Sequence, residues 1–282
     1  MTPGEAARAG ADREFLIGLS RAFGGAVFFS LPLLMTMEMW QFGFYLDRVR
    51  IGLLLVLILP LLIVLARFSG FMLTSSWLED VVDGVIALGV GVAAAATIML
   101  TLDLLGPGMS LREITGKIAL QAVPGSFGAV LANSQFSADR AEQRHEKALR
   151  RRAGYPAQLL FMAVGAVFLA FNIAPTEEIV LLSARLGPAH AFSVLLLTLI
   201  LMHAFVFGSR FRGMPERPEG MSGISLFLRY TLVGYAIALL VSGYVLWTFG
   251  TLGPQSGGNG AVGLVVLGLP AGLGTAAARL VL

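Results

Sequence analysis

The sequence predicts an all-α membrane protein of about eight transmembrane helices built from two parallel four-helix repeats, and three observations carry that reading. Of 282 residues, 56% are hydrophobic and 13% charged, where a soluble domain carries about 25% charged residues. Apolar runs of about 20 residues, the length a helix needs to cross hydrocarbon, recur along the chain. Finally, Gly25-Ala26-Val27-Phe28, followed by Thr36 and Glu38, returns 140 residues later as Gly165-Ala166-Val167-Phe168, Thr176 and Glu178. The polar pair in that repeat is of a kind spanning helices normally avoid. A fainter echo, Pro124-x-x-x-Gly128 and Pro270-x-x-x-Gly274, falls late in each half.

Taken in order, residues 1–21 are short, charged and Gly/Ala-rich, and read as a cytoplasmic N-terminal segment. The first apolar run is too long for a signal-peptide core and contains Glu38, so it is expected to be retained as a helix. The first repeat, 22–136, has spans at roughly 22–45, 50–67, 82–104 and 115–136. A basic cytoplasmic linker covers 137–155. The second repeat, 156–282, has spans at roughly 156–182, 189–208, 224–249 and 260–280. The fourth and eighth spans have the weakest hydropathy, because of Gln121, Pro124, Gly125, Asn133 and the glycines from Gly257 to Gly274. Six spans with two re-entrant segments is the competing count.

The positive-inside rule orients this bundle. With a cytoplasmic N-terminus, fifteen of the twenty Lys and Arg residues fall inside. Arg48, Arg50, Arg112, Lys117 and Arg185 are left outside. Both termini are then cytoplasmic, and the halves run in the same sense about an axis along the membrane normal. The linker SADRAEQRHEKALRRR mixes acids and bases at helical spacing, with Glu146 and Arg150 at i,i+4, and reads as a solvated connecting helix.

Several function classes drop out on composition. There is no cysteine, hence no disulfide, thiolate metal site or cysteine nucleophile. The net charge of +3 comes from loop arginines rather than a basic stripe interleaved with aromatics, so nucleic acid is not an expected partner. The expected partners are the lipid bilayer and an inorganic cation or proton, with a homo-oligomer compatible with the pattern. No cofactor is expected.

The candidate site follows from the acids at membrane depth. A carboxylate in hydrocarbon takes up a proton, pairs with a base, binds a cation or faces water. On the predicted topology Glu38, Glu177 and Glu178 lie in the outer thirds of the first and fifth spans, with Asp103 at the outer end of the third. Pro175 has no N–H for the carbonyl of Phe171, and Pro32 none for that of Phe28. Thr36, Thr176 and Asn172 add neutral oxygens. This set suits Ca²⁺, Na⁺, Mg²⁺ or a proton, with Glu38 and Glu178 as the metal-binding carboxylates approaching one outer-half cavity. The registers of Pro32 and Pro175 do not align, so full twofold symmetry is not expected. Blander readings compete: a Glu178–Arg185 boundary ion pair, a solvated Asp103, and Glu79, Asp80 and Asp83 serving the positive N-terminus of the third span. The glycines at 84, 89, 91, 268 and 272 read as packing faces.

At APTEEI, residues 174–179, within FLAFNIAPTEEI, the chain resembles a family of bacterial multi-pass membrane proteins grouped as a domain of unknown function. That resemblance covers most of the chain and implies a bacterial inner (plasma) membrane protein, without a reaction or ligand to carry across. The primary reading is therefore a cation channel or transporter. A non-catalytic scaffold or lipid-binding protein is the alternative. An intramembrane enzyme ranks below both: Glu177-Glu178 lacks the further groups of a glutamate-pair protease, no HExxH motif is present, and His203 reads as a packing residue.

Overall fold

The computed structural model describes residues 3–69, 76–136, 154–205, 222–252 and 259–281, and every regular element among them is helical. They fall into two compact units, Met1–Phe44 with Ile51–Arg152, and Tyr45–Arg50 with Ala153–Leu282. The predicted 137–152 linker helix lies outside the described residues.

The helices of the first unit are α1 (Pro3–Leu34), α2 (Met37–Tyr45), α3 (Arg48–Ser69), α4 (Trp77–Thr101) and α5 (Leu111–Phe136). Short polar signals set their ends. The Ser76 hydroxyl accepts the Glu79 N–H at the start of α4, and the Ser110 hydroxyl accepts the Glu113 N–H at the start of α5. Both are S-x-x-E sequences, the pattern of a capping box. At the end of α4 the N–H of Asp103 reaches Leu100 O and that of Leu104 reaches Met99 O, with Asp103 at φ 56°. That is a Schellman closure.

In the second unit α6 (Tyr155–Ile173), α7 (Glu177–Arg185) and α8 (Pro188–His203) are followed by α9 (Gly223–Leu226), a π-helical turn (Phe227–Leu232), α10 (Val233–Thr248) and α11 (Gly260–Val281). The order of long helix, break, short helix and three further helical segments thus occurs in each unit, with Gly223–Thr248 running as one segment. Gly250, at φ 77°, closes α10 as Asp103 closes α4, with Gly250 N–H on Trp247 O and Thr251 N–H on Leu246 O.

Each unit is organised around its last helix. In the first, α1 packs on α5 and α4, and α4 on α5; in the second, α6 packs on α11 and α10, and α10 on α11. The two echoes in the sequence meet at these crossings. Gly25 lies against the backbone of Gly128 and the methyl of Ala132; Gly165 lies against the backbone of Gly274 and the methyl of Ala278. Neither pair leaves room for a side chain, which brings helix backbones together as small residues do in membranes. Of the glycines read as packing faces, Gly84, Gly91, Gly268 and Gly272 do contact a neighbouring helix, whereas Gly89 faces open space.

Six described helices are long and apolar enough to cross a membrane: Phe15–Leu34, Arg48–Arg67, Trp77–Thr101, Tyr155–Ile173, Gly223–Thr248 and Gly260–Arg279. The eight predicted spans differ from these in three ways. The runs 22–45 and 156–182 are not continuous helices but break at Met35–Thr36 and at Ala174–Thr176. The eighth run qualifies as a span, whereas the sixth has 16 described helical residues, Pro188–His203. The fourth, α5, has 26 residues, about 39 Å at 1.5 Å per residue, yet is not apolar enough to count. Its burial explains why. Residues 120–130 of α5 are all buried, so its polar groups contact protein, and a helix that meets little lipid has no need of high hydropathy.

Candidate functional site

The sites proposed from the sequence centre on the two breaks, which are built alike. Leu34 ends α1 and Met37 starts α2; between them the Thr36 N–H and hydroxyl both reach Leu33 O, at 3.1 and 2.8 Å. Ile173 ends α6 and Glu177 starts α7; the Thr176 N–H and hydroxyl both reach Ile173 O, at 3.1 and 2.9 Å. Each threonine stands where an N-cap stands, yet donates backwards to the preceding helix, satisfying an end carbonyl that would otherwise be bare. The glutamates fall in the first turn of the short helices. Glu38 and Glu178 therefore do not project from the outer third of continuous spanning helices. They follow the break, where the positive helix N-terminus favours a carboxylate.

In the second unit the break gathers five of the predicted residues. Asn172 donates through Nδ2 to Phe168 O at 2.7 Å, and its buried Oδ1 has no protein partner. Phe171 is buried, and Pro175, in the break, can supply no N–H to its carbonyl. Glu177 and Glu178 are exposed. The Glu178 carboxyl is held below the usual glutamate range, first by its own backbone N–H and then by the Thr176 hydroxyl. That hydroxyl has one proton, which serves the Ile173 carbonyl or the carboxylate by turning. No ion pair joins Glu178 to Arg185 among the described residues.

In the first unit Thr36 and Glu38 are half-buried at the break, and Phe28 is an exposed side chain ahead of Pro32 in α1. Asp103 sits apart, exposed in the turn after α4, where a left-handed residue is needed and aspartate tolerates it. Among the described residues no three His, Asp or Glu side chains gather as a metal site.

The first unit also contains a buried polar stripe that was not recognised as a site in the sequence. Glu113, Lys117 and Gln121 are four apart on α5, and hence on one face. Lys117, expected from the sequence to be an outer-side charge, is 7% exposed. Its Nζ lies 3.1 Å from Glu113 Oε1 and 3.4 Å from Leu104 O, while Gly43 of α2 packs on its stem. Gln121 is fully buried and donates to Leu33 O at 3.3 Å. At the other end of the unit Arg67 meets the fully buried Asp80 at 2.8 Å. Asp80 therefore holds a basic partner as well as serving the helix start. The i,i+4 spacing is visible in the sequence, but it falls on one of the two spans with the weakest hydropathy.

The DUF2391 model, which describes an integral membrane protein, matches residues 18–282. The chain belongs to the DUF2391 family. No curated protein and no solved structure matches it. The DUF2391 match covers both breaks and both glycine crossings, agrees with the family resemblance read at residues 174–179, and identifies a membrane protein without specifying what it moves or binds.

A second polar cluster in this DUF2391 protein lies in the second unit, where Met162, Met202, Tyr230, Thr231, Thr275 and Arg279 line a small pocket. The Arg279 guanidinium stacks 4.0 Å from the centre of the Tyr230 ring, and His203 Nδ1 is 2.9 Å from Thr231 Oγ1. His203 is thus engaged by a hydroxyl, as expected of a packing histidine. The pocket borders the π-helical turn, an irregularity often found at functional sites; its residues come from four separate helical segments and share no local motif.

Proposed function

We propose that this protein carries a hard cation or a proton across a bacterial inner membrane, using the acidic helix breaks as entry points. One observation carries the reading: each unit interrupts its first long apolar helix at the same place, with a threonine and a glutamate at the interruption. Discontinuous spanning helices are the common way for transporters to offer backbone and side-chain oxygens to an ion. The glutamates lie in helix first turns, and the Glu178 carboxyl is held below the usual glutamate range; this supports attraction of cations more than storage of a proton in a desolvated dyad. In this reading the units are parallel repeats with eight crossings, α5 being a span shielded from lipid, and both termini are cytoplasmic. The protein is non-catalytic.

Reconstitution into liposomes with indicators for Ca²⁺, Na⁺, K⁺, Mg²⁺ and pH tests this directly. Glu38→Gln and Glu178→Gln should each reduce flux about tenfold, through loss of a charge that attracts the cation, while leaving the yield of folded protein unchanged. Wild-type flux in both variants would overturn the role of the breaks. The depressed Glu178 pKa sets the sign of a pH test. Because the ionised form attracts the cation, flux should persist below the usual glutamate range and fall as pH drops through the lowered value. Thr176→Val removes one cause of the depression, so its acid limb should move to higher pH.

A scaffold that binds anionic lipid is the second reading, favoured by the guanidinium lining the second-unit pocket. It expects no flux for any ion under gradients of either direction.

A further inference from the structure

The buried amide of Gln121 poses a question that bracing the α1–α2 break does not answer. Its Nε2 donates to Leu33 O, a carbonyl already taking the Thr36 N–H and hydroxyl. Its Oε1 is buried without any protein partner, on a residue with 0% exposure. A buried acceptor left unmade costs stability, and such exceptions call for an explanation. The second unit has no such amide at the equivalent position of its last helix. At the register that brings Gly128 onto Gly274, Gln121 corresponds to Leu267, which is also fully buried.

We infer that Gln121 Oε1 is a ligand for a monovalent cation at the break of the first unit. Further oxygens belong to the same break and the same helix. Pro124 lies inside α5 and has no N–H for the carbonyl of Leu120, the residue preceding Gln121. The Thr36 hydroxyl shares Leu33 O with the Gln121 amide and keeps its lone pairs. The C-terminal end of α1 contributes the negative pole of its dipole. In transporters, ends of interrupted helices coordinate Na⁺ or a proton in this way. Neutral oxygens select a singly charged ion, since Ca²⁺ and Mg²⁺ sites use carboxylates. The nearest full charge on the same face, Lys117, is balanced by Glu113. This assignment deepens the transport reading by placing a binding step in the first unit.

The test measures binding without flux. Protein purified in detergent is heated in choline chloride and then in NaCl, KCl or LiCl at constant ionic strength. Wild type should gain about 3–5 °C in Tm from one of these cations at ten times its Kd. Gln121→Leu, which copies the second unit's residue, should match or exceed the wild-type Tm in choline and lose the cation-dependent rise. Gln121→Asn, which withdraws the oxygen by one methylene, should also lose it and serves if the leucine variant fails to fold. The site is overturned if no cation raises the wild-type Tm above choline, or if either folded variant keeps the rise. A Tm shift without flux would retain the site and remove the transport reading; flux without a Tm shift would do the reverse.

Discussion

Gly274→Leu is expected to prevent the second unit from folding. A Cβ at Gly274 would fall on the backbone of Gly165, so no rotamer change relieves the clash and α6 must leave α11. Overpacking in a core costs about 1–3 kcal/mol when side chains can adjust; here the whole α6–α11 contact is at stake, against a total domain stability of about 5–15 kcal/mol. Gly165→Leu should do the same, as should Gly25→Leu and Gly128→Leu in the first unit. Gly89→Ala is the control. Nothing lies within 4 Å of its added methyl, and the higher helix propensity of alanine should leave stability equal or raised by up to about 1 kcal/mol. Detergent-solubilised yield and thermal unfolding read all five variants. Wild-type behaviour of Gly274→Leu would mean that this crossing is not close.

The second large effect is expected at Lys117. Its side chain is 9% exposed and that of its partner Glu113 19%, so neither charge is well hydrated. Lys117→Met keeps most of the stem that packs on Gly43 but leaves the Glu113 carboxylate without its counter-charge. Breaking a buried pair from one side costs about 3–5 kcal/mol; with Glu113 still partly exposed, about 3 kcal/mol is expected. Removing both charges, with Lys117→Met and Glu113→Leu together, should restore most of the loss, because apolar replacement of a buried pair is often neutral or better. A thermal double-mutant cycle checks this. Additive losses would show that the two side chains are uncoupled.

The positions of these residues also show how much a linear reading could reach. The breaks were half visible. Thr36, Glu38, Thr176 and Glu178 stood out as a repeat, but a hydropathy window ran straight through them, because one or two polar residues barely lower the average of an apolar run. Their meaning as the start of a new helix lay in the local Thr-x-Glu pattern instead. Asp103 stood out as an acid near membrane depth, although its conformation gives it a local task in closing α4, one that glycine performs at Gly250. Lys117 was counted as an outer-side charge, since the positive-inside rule sees only sequence neighbours and cannot tell a solvated lysine from one covered by α2.

By itself the sequence determined what depends on a residue and its near neighbours. An excess of apolar side chains requires lipid; Ser76, Ser110 and Asn259 start helices through hydrogen bonds within a few residues; identities recur at fixed offsets. Tertiary structure alone decided which distant segments touch. Only packing joined Gly25 to Gly128 and Gly165 to Gly274, turning two separate echoes into one kind of helix crossing. Only packing placed Gln121 on the Leu33 carbonyl and buried the stripe on α5. The physical reason is that transfer from water to lipid is a property of each side chain, whereas close approach of two backbones and the partners of a buried polar group belong to pairs of segments far apart in the chain.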